Sequence, residues 1–371
     1  MKKKIWMMLL CGALVCFPLG GCGINRADAD TGSVQSEAVS DHKTTKNSNA
    51  EYTSEVFAMD TYMTLTAYGE NAKEAVEAGI AEIQRLDALL STGDANSEVA
   101  QINQNGGGTL SEDTDYLVKR ALAIYQSTQG AFDISIYPVM QLWGFTTGDF
   151  AVPSKEDLAA KLALVNAGRI SLAEDNGVSS ITLPEGMEID LGGIAKGYTS
   201  GRVMEVMKRY GIESAVINLG GNAHVLGSKP DGSAWKVGIQ DPNDTNGYLG
   251  GVSVRDKAII TSGGYERYFV DEATGVKYHH IIDPKTGYSA NNGLISVTIV
   301  SADSTLADGL STSLFVLGTE DAIAYCKEHC AEDGFDAIME DEDGKLYITD
   351  GIMDDFINMN NTANIQEIET K

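Results

Sequence analysis

Ser214-Ala215-Val216-Ile217-Asn218-Leu219-Gly220-Gly221-Asn222 opens the half of the chain that decides the fold. Its apolar run reads as a strand, and the paired glycines turn it. Working outward, residues 235–239, 249–254, 258–262, 267–270 and 293–300 read as further strands. Turn sequences such as Pro230-Asp231-Gly232 and Asp241-Pro242-Asn243-Asp244 connect them. Strands that follow one another without a helix between each pair predict an α+β fold with mostly antiparallel sheets and flanking helices. Upstream, residues 55–68 alternate as one strand. Residues 71–90 place Ala72, Val76, Ile80, Ile83, Leu86 and Leu90 at helical spacing. Residues 113–128, 154–166, 195–210 and 320–330 read as further helices.

The ends of the chain predict a location. Lys2, Lys3 and Lys4 precede an apolar run from Ile5 to Leu19, then Gly20-Gly21-Cys22. The run is shorter than the roughly 20 residues a membrane span needs, and small residues before a cysteine fit a cleaved lipoprotein signal over 1–21. Cys22 would then carry the lipid, anchoring the protein outside the cytoplasmic membrane of a bacterium. Residues 23–50 hold no aromatic residue among many Ser, Thr, Asp and Asn, the composition of a flexible tether. The expected body runs over 51–350, with a C-terminal tail over 351–371.

The formal charge is −26, and loss of residues 1–21, with three lysines and no acid, takes it to −29. Such a body repels phosphate backbones, which argues against nucleic acid as a partner. Of five cysteines, Cys326 and Cys330 lie within the expected body. Four residues apart on one helix, they are expected to be structural, either reduced or bridged.

Asp308 and Thr312 share one face of the helix that Thr305-Leu306-Ala307-Asp308-Gly309-Leu310-Ser311-Thr312 opens, with no basic residue within ten positions. A carboxylate stacked on a hydroxyl suits a hard cation such as Mg²⁺. Both residue types equally suit a helix cap. Gly192-Gly193-Ile194-Ala195-Lys196-Gly197 is a glycine turn leading into a helix, where free N–H groups and the helix dipole can hold a diphosphate. Close strand–helix packing explains those glycines as well.

Five separated motifs occur together in order: Met59-Asp60-Thr61, Gly130-Ala131-Phe132-Asp133, residues 189–198, Tyr278-His279-His280-Ile281-Ile282-Asp283-Pro284-Lys285-Thr286-Gly287, and Ala307-Asp308. In this, residues 52–345 resemble the FAD:protein FMN transferase family, the ApbE-like flavin transferases. The resemblance implies an α+β body with a cleft between lobes. It implies FAD as substrate and Mg²⁺ or Mn²⁺ as metal, with FMN passing to a Thr or Ser hydroxyl of a target protein and AMP leaving. Metal ligands would come from Asp308, Thr312, the Ala195 carbonyl and Ser311. Gly192, Tyr198, Ile282 and the trio Ala131, Phe132 and Asp133 fall on flavin-nucleotide positions, and Ser262 falls in an element lining the same region. Met59 would pack its thioether on an aromatic ring of the nucleotide. His280 becomes the candidate base for the attacking hydroxyl, with Asp308 the second catalytic residue. Acceptors would be flavoprotein subunits or FMN-binding domains outside the cytoplasm. One departure is that Ser91-Thr92-Gly93-Asp94 lacks the aromatic residue usual there, leaving Trp143 or Tyr137 as candidates to stack. A pyrophosphatase giving FMN and AMP, or a flavin-binding lipoprotein without turnover, would use the same site.

Overall fold

A computed structural model describes residues 50–244, 246–359 and 364–371. The expected lipid site at Cys22, the signal and nearly all of the tether lie outside these residues. The main sheet has nine strands. From edge to edge they are Glu51–Ala58, Thr61–Tyr68, Ser214–Leu219, Asn222–Gly227, Ala258–Gly263, Leu294–Ser301, Phe335–Asp341, Lys345–Thr349 and Asn364–Ile368. Every pairing in it is antiparallel except the last, Lys345–Thr349 with Asn364–Ile368.

The single strand expected over 55–68 is a hairpin instead. Ala58 pairs with Thr61 across a two-residue turn in which Met59 has φ 48° and Asp60 φ 58°. Two left-handed residues match the twist of a tight hairpin, yet side chains other than glycine are strained there, at roughly 1 kcal/mol or more each. The turn shows in the sequence only as a slip of the apolar positions from even numbers, Val56 and Ala58, to odd ones, Met63, Leu65 and Ala67, which a reading of 55–68 as one alternating strand passed over. Met63, Leu65 and Ala67 are buried against the helix Ala72–Leu90, which presents Val76 and Ile83. The opposite sheet face, with Phe57 and Tyr62, stays outside that core.

Two helices cross near the sheet's centre. Gly192–Arg209 begins three residues before the expected start because the Asp190 carboxylate accepts the Gly192 N–H at 2.8 Å. Ser304–Leu317 is capped by Asp303, which accepts the Leu306 N–H at 3.0 Å and pairs with Arg120 at 2.6 Å. Asp308 is therefore not the cap. The helices approach so closely that a Cβ on Gly197 would lie 2.2 Å from the Ser304 carbonyl oxygen.

A second lobe gathers Val139, Trp143, Phe145, Leu158 and Ile282 around Phe269 and Tyr278. The expected tail beyond 350 is part of the fold. Phe356–Asn358 pairs with Tyr248–Val254, and Asn364–Ile368 completes the main sheet with Ile368 buried. Its short strands lacked a periodic pattern long enough to be read. Cys326 and Cys330 are buried free thiols on Thr319–Asp333.

His224 is buried on Asn222–Gly227 with Nδ1 3.1 Å from Ser200 Oγ, and burial pushes its pKa down to about 4. Between pH 6.5 and about 4 the unfolded chain takes up a proton that the folded one refuses, so this group's contribution is lost as the pH falls through that window. Denaturation at pH 7 and pH 5 is expected to show His224→Gln losing about 2 kcal/mol less than the parent between the two pH values.

Candidate active site

Between the hairpin, the crossing helices and the second lobe runs a cleft of about 2310 Å³, well beyond the roughly 300–1,000 Å³ of an ordinary small-molecule pocket. The carboxylate of Asp308, which is 5% exposed, lines the cleft. One oxygen accepts the Gly197 N–H at 2.7 Å and the other the Asn222 side-chain amide at 3.0 Å. The Lys196 N–H also donates to it. Burial pushes its pKa up, opposed by the nearby Lys196 ammonium and these donors. The glycine turn and the aspartate helix, 111 residues apart, thus meet at one carboxylate.

Thr312 lies one turn further along, facing the cleft, with Oγ1 3.2 Å from Ser262 Oγ. Ser311 is placed differently from the expectation. Fully buried behind the wall, it donates to the Asp308 carbonyl at 2.8 Å and meets Ser262 Oγ at 2.9 Å. It does not line the cleft, and with its hydroxyl spent on the Asp308 carbonyl it braces the wall that carries Asp308 and Thr312.

Among the described residues no group of three His, Cys, Asp or Glu side chains could hold a metal. A cation here depends on one carboxylate with neutral oxygens. Asp308, the Thr312 hydroxyl and Ala195, which also lines the cleft, form such a set, and hard oxygen donors with room left for water are what Mg²⁺ takes. A carboxylate has about four acceptor positions, so the amide donors leave Asp308 capacity for an ion. The residues fit the metal.

Gly192, Ala131, Phe132, Ile282 and Met59 all line the cleft. Gly193 lies against Phe132, where an added Cβ would be 3.0 Å from the ring. Met59 is held by its N–H on Asp87 at 3.0 Å and by Thr199 Oγ1, 3.7 Å from the sulfur. Asp133 reaches the wall, but its carboxylate is spent on the backbone, accepting the N–H groups of Ser135 at 2.8 Å and Ala167 at 3.1 Å. It shapes the loop that carries Phe132. Tyr198 is outside the cleft. A 240° rotation from Gly192 along the helix turns it to a separate cavity, where its hydroxyl donates to Asp113 and its ring packs on Tyr116 at 5.3 Å. Trp143 cannot stack on a ligand either, being fully buried with its indole N–H on the Gly287 carbonyl at 2.8 Å. Tyr137 does line the cleft.

His280 faces the cleft, with Nδ1 3.2 Å from the Arg267 carbonyl oxygen. A carbonyl only accepts, so Nδ1 carries the proton and Nε2 keeps its lone pair. Burial, then the charges of Arg267, Lys196 and His279, push its pKa down to about 3, leaving the ring neutral. His279 is structural, with Nε2 2.9 Å from the Ala290 carbonyl and its ring edge-on to Phe315.

Polar cleft residues that carried no sequence assignment include Lys196, Asn222, Glu266 and Arg267. Lys196 was legible as the one cation inside a glycine turn suited to diphosphate, and Asn222 as the polar end of another. Glu266 is pushed up to about 7 by desolvation and by Asp308, with Lys196 opposing. Nothing in its sequence neighbourhood signals that it faces Asp308.

The ApbE family profile matches residues 59–339. An FAD:protein FMN transferase of Klebsiella pneumoniae is 38% identical over 251 residues, 66% of this chain and 76% of that protein. One of Treponema pallidum is 32% identical over 324 residues, 82% of this chain and 88% of that protein. The solved ApbE protein of Thermotoga maritima superposes with a TM-score of 0.75 at 32% identity, over 81% of this chain and 98% of that one. The flavin transferase ApbE of Vibrio cholerae gives 0.70 at 29%, over 81% and 97%. With the match running from the hairpin turn to the seventh strand of the main sheet, the chain belongs to the ApbE family.

Proposed function

We propose that this enzyme, like the relatives named FAD:protein FMN transferases, moves FMN from FAD to a Thr or Ser hydroxyl of an acceptor protein and releases AMP. The observation that carries the reading is the anchoring of Asp308 on the glycine turn, which sets a carboxylate, a hydroxyl and a helix start around one point. The turn and Lys196 would hold the diphosphate, and Phe132, Met59 and Ile282 would pack on the nucleotide rings. Asp308, Thr312 and the Ala195 carbonyl would hold Mg²⁺ or Mn²⁺, which when bound supplies charge neutralisation at the diphosphate.

In the reaction the acceptor oxygen forms a bond to the FMN phosphorus as the bond from that phosphorus to the bridging oxygen breaks. The electron pair leaves on AMP. His280 Nε2 takes the hydroxyl proton; the negative diphosphate offsets the cations that depress this ring and raises its basicity. Such a displacement needs positioning and charge stabilisation more than a protein nucleophile. We further propose that Cys22 carries a lipid and holds the enzyme outside the cytoplasmic membrane. The described residues contain no helix long and apolar enough to span one.

The test is AMP release from FAD with Mg²⁺, with and without an acceptor domain. Acceptor-dependent AMP with an FMN mass increment on the acceptor supports transfer. Acceptor-independent AMP would make the site a pyrophosphatase, and absence of AMP a binding protein. His280→Asn is expected to lower transfer about 10²–10⁴-fold, the span of general-base loss, while FAD binding measured by flavin fluorescence stays within threefold.

A further inference from the structure

The cleft does not end at the reacting groups. It runs out over one face of the first three strands of the main sheet, where Glu51, Glu55, Phe57, Tyr62, Thr64 and Asn218 all belong to its lining. The register makes these one surface: Phe57 stands opposite Tyr62, Glu55 opposite Thr64, and Thr64 opposite Asn218. The reverse face carries Met63, Leu65, Ala215 and Ile217 and is buried under helices. No helix or strand among the described residues covers the outer face at Phe57 and Tyr62. Both are 57% exposed and pack edge to face at 5.0 Å. They flank the Met59-Asp60 turn, so the pair stands two strand residues, roughly 7 Å, from a residue that lines the nucleotide site.

Resting on the transferase reading above, we propose that this face docks the acceptor protein, specifically a basic segment next to the hydroxyl that receives FMN. An exposed aromatic pair rimmed by polar residues is the composition of a binding hot spot. Glu51, Glu55, Asp60 and Asp231 line this end of the cleft, and among the described lining residues Lys229 is the one cation besides Lys196 and Arg267 of the reaction site, so charge complementarity selects lysine and arginine. On that reading the nucleotide takes the part of the cleft around Asp308; the second substrate is a protein and needs a surface beside it. The face is three strands wide, about 10 Å between the outer strands, which admits one extended segment.

The experiment uses the full-length enzyme, FAD, Mg²⁺ and an FMN-binding acceptor domain that the parent enzyme flavinylates. Phe57→Ser with Tyr62→Ser, and separately Glu51→Lys with Glu55→Lys, are expected to raise KM for the acceptor at least tenfold. kcat and FAD affinity should stay within twofold. The charge-reversal effect should shrink between 0.05 and 0.5 M salt, and replacing lysines beside the acceptor hydroxyl with glutamate should restore KM on the reversed enzyme. Parent transfer with unchanged acceptor KM in both variants overturns the docking face and leaves the transferase reading intact. A change in solution mass in place of a change in KM gives the face to a second copy and also overturns it. No transfer by the parent to any acceptor removes both.

Discussion

Asp308→Ala is expected to lower AMP release and FMN transfer by at least 10³-fold while flavin fluorescence still reports FAD binding within about tenfold. Loss of the only carboxylate in the proposed oxygen set removes several kcal/mol of charge stabilisation, and each 1.36 kcal/mol is a factor of ten. Binding is expected to persist because Phe132, Met59 and Ile282 line the same cleft and would pack on the rings without depending on this group. A companion Asp308→Asn keeps the shape and an acceptor for the Gly197 N–H, so its fold should match the parent in thermal unfolding. If that variant turned over at the parent rate, Asp308 would have no part in the chemistry. Isothermal titration with Mg²⁺ gives a readout apart from turnover: both variants should lose the metal-binding heat.

Gly197→Ala should act on stability and activity together. The new methyl would meet the Ser304 carbonyl oxygen at 2.2 Å and Asp308 Cβ at 2.5 Å. Neither is the free end of a flexible side chain, so the two helices must separate. Overpacking of this kind costs about 1–3 kcal/mol, and any separation stretches the 2.7 Å contact that aims the Asp308 carboxylate. The denaturant midpoint should fall, and transfer should fall tenfold or more under conditions where the protein remains folded. Gly201→Ala, one turn on, is the control. There the methyl meets only the Ser304 hydroxyl at 3.0 Å, a side chain that can rotate, and the effect should be small. Equal behaviour of the two variants would show that the helix crossing does not set the site.

What could be read from residues alone followed the range of the interactions involved. Ser214–Leu219 was legible to the residue, since an apolar run ended by two glycines is a local signal. The two segments that meet at Asp308 were also legible, as a glycine-rich helix start and an Asp-Thr face. That they meet depends on Gly197 and on a helix crossing, which no local pattern records. Tyr198 and Ser311 were misplaced for the same reason: adjacency in a motif does not give the direction of a side chain on a helix. Met59-Asp60 was read through as part of one strand, because a turn made without glycine is marked only by the change of apolar parity across it. The link between Glu266 and Asp308 arises only when a turn and a helix distant in sequence come together in the cleft.

The last strand, Asn364–Ile368, lies parallel against Lys345–Thr349 at the far border of the main sheet. A gene shortened after codon 350 would look harmless and would leave that border bare, with Leu346, Tyr347 and Ile348 beside unsatisfied main-chain groups. Such a border recruits strands from neighbouring molecules, so the shortened polypeptide should be recovered as aggregate.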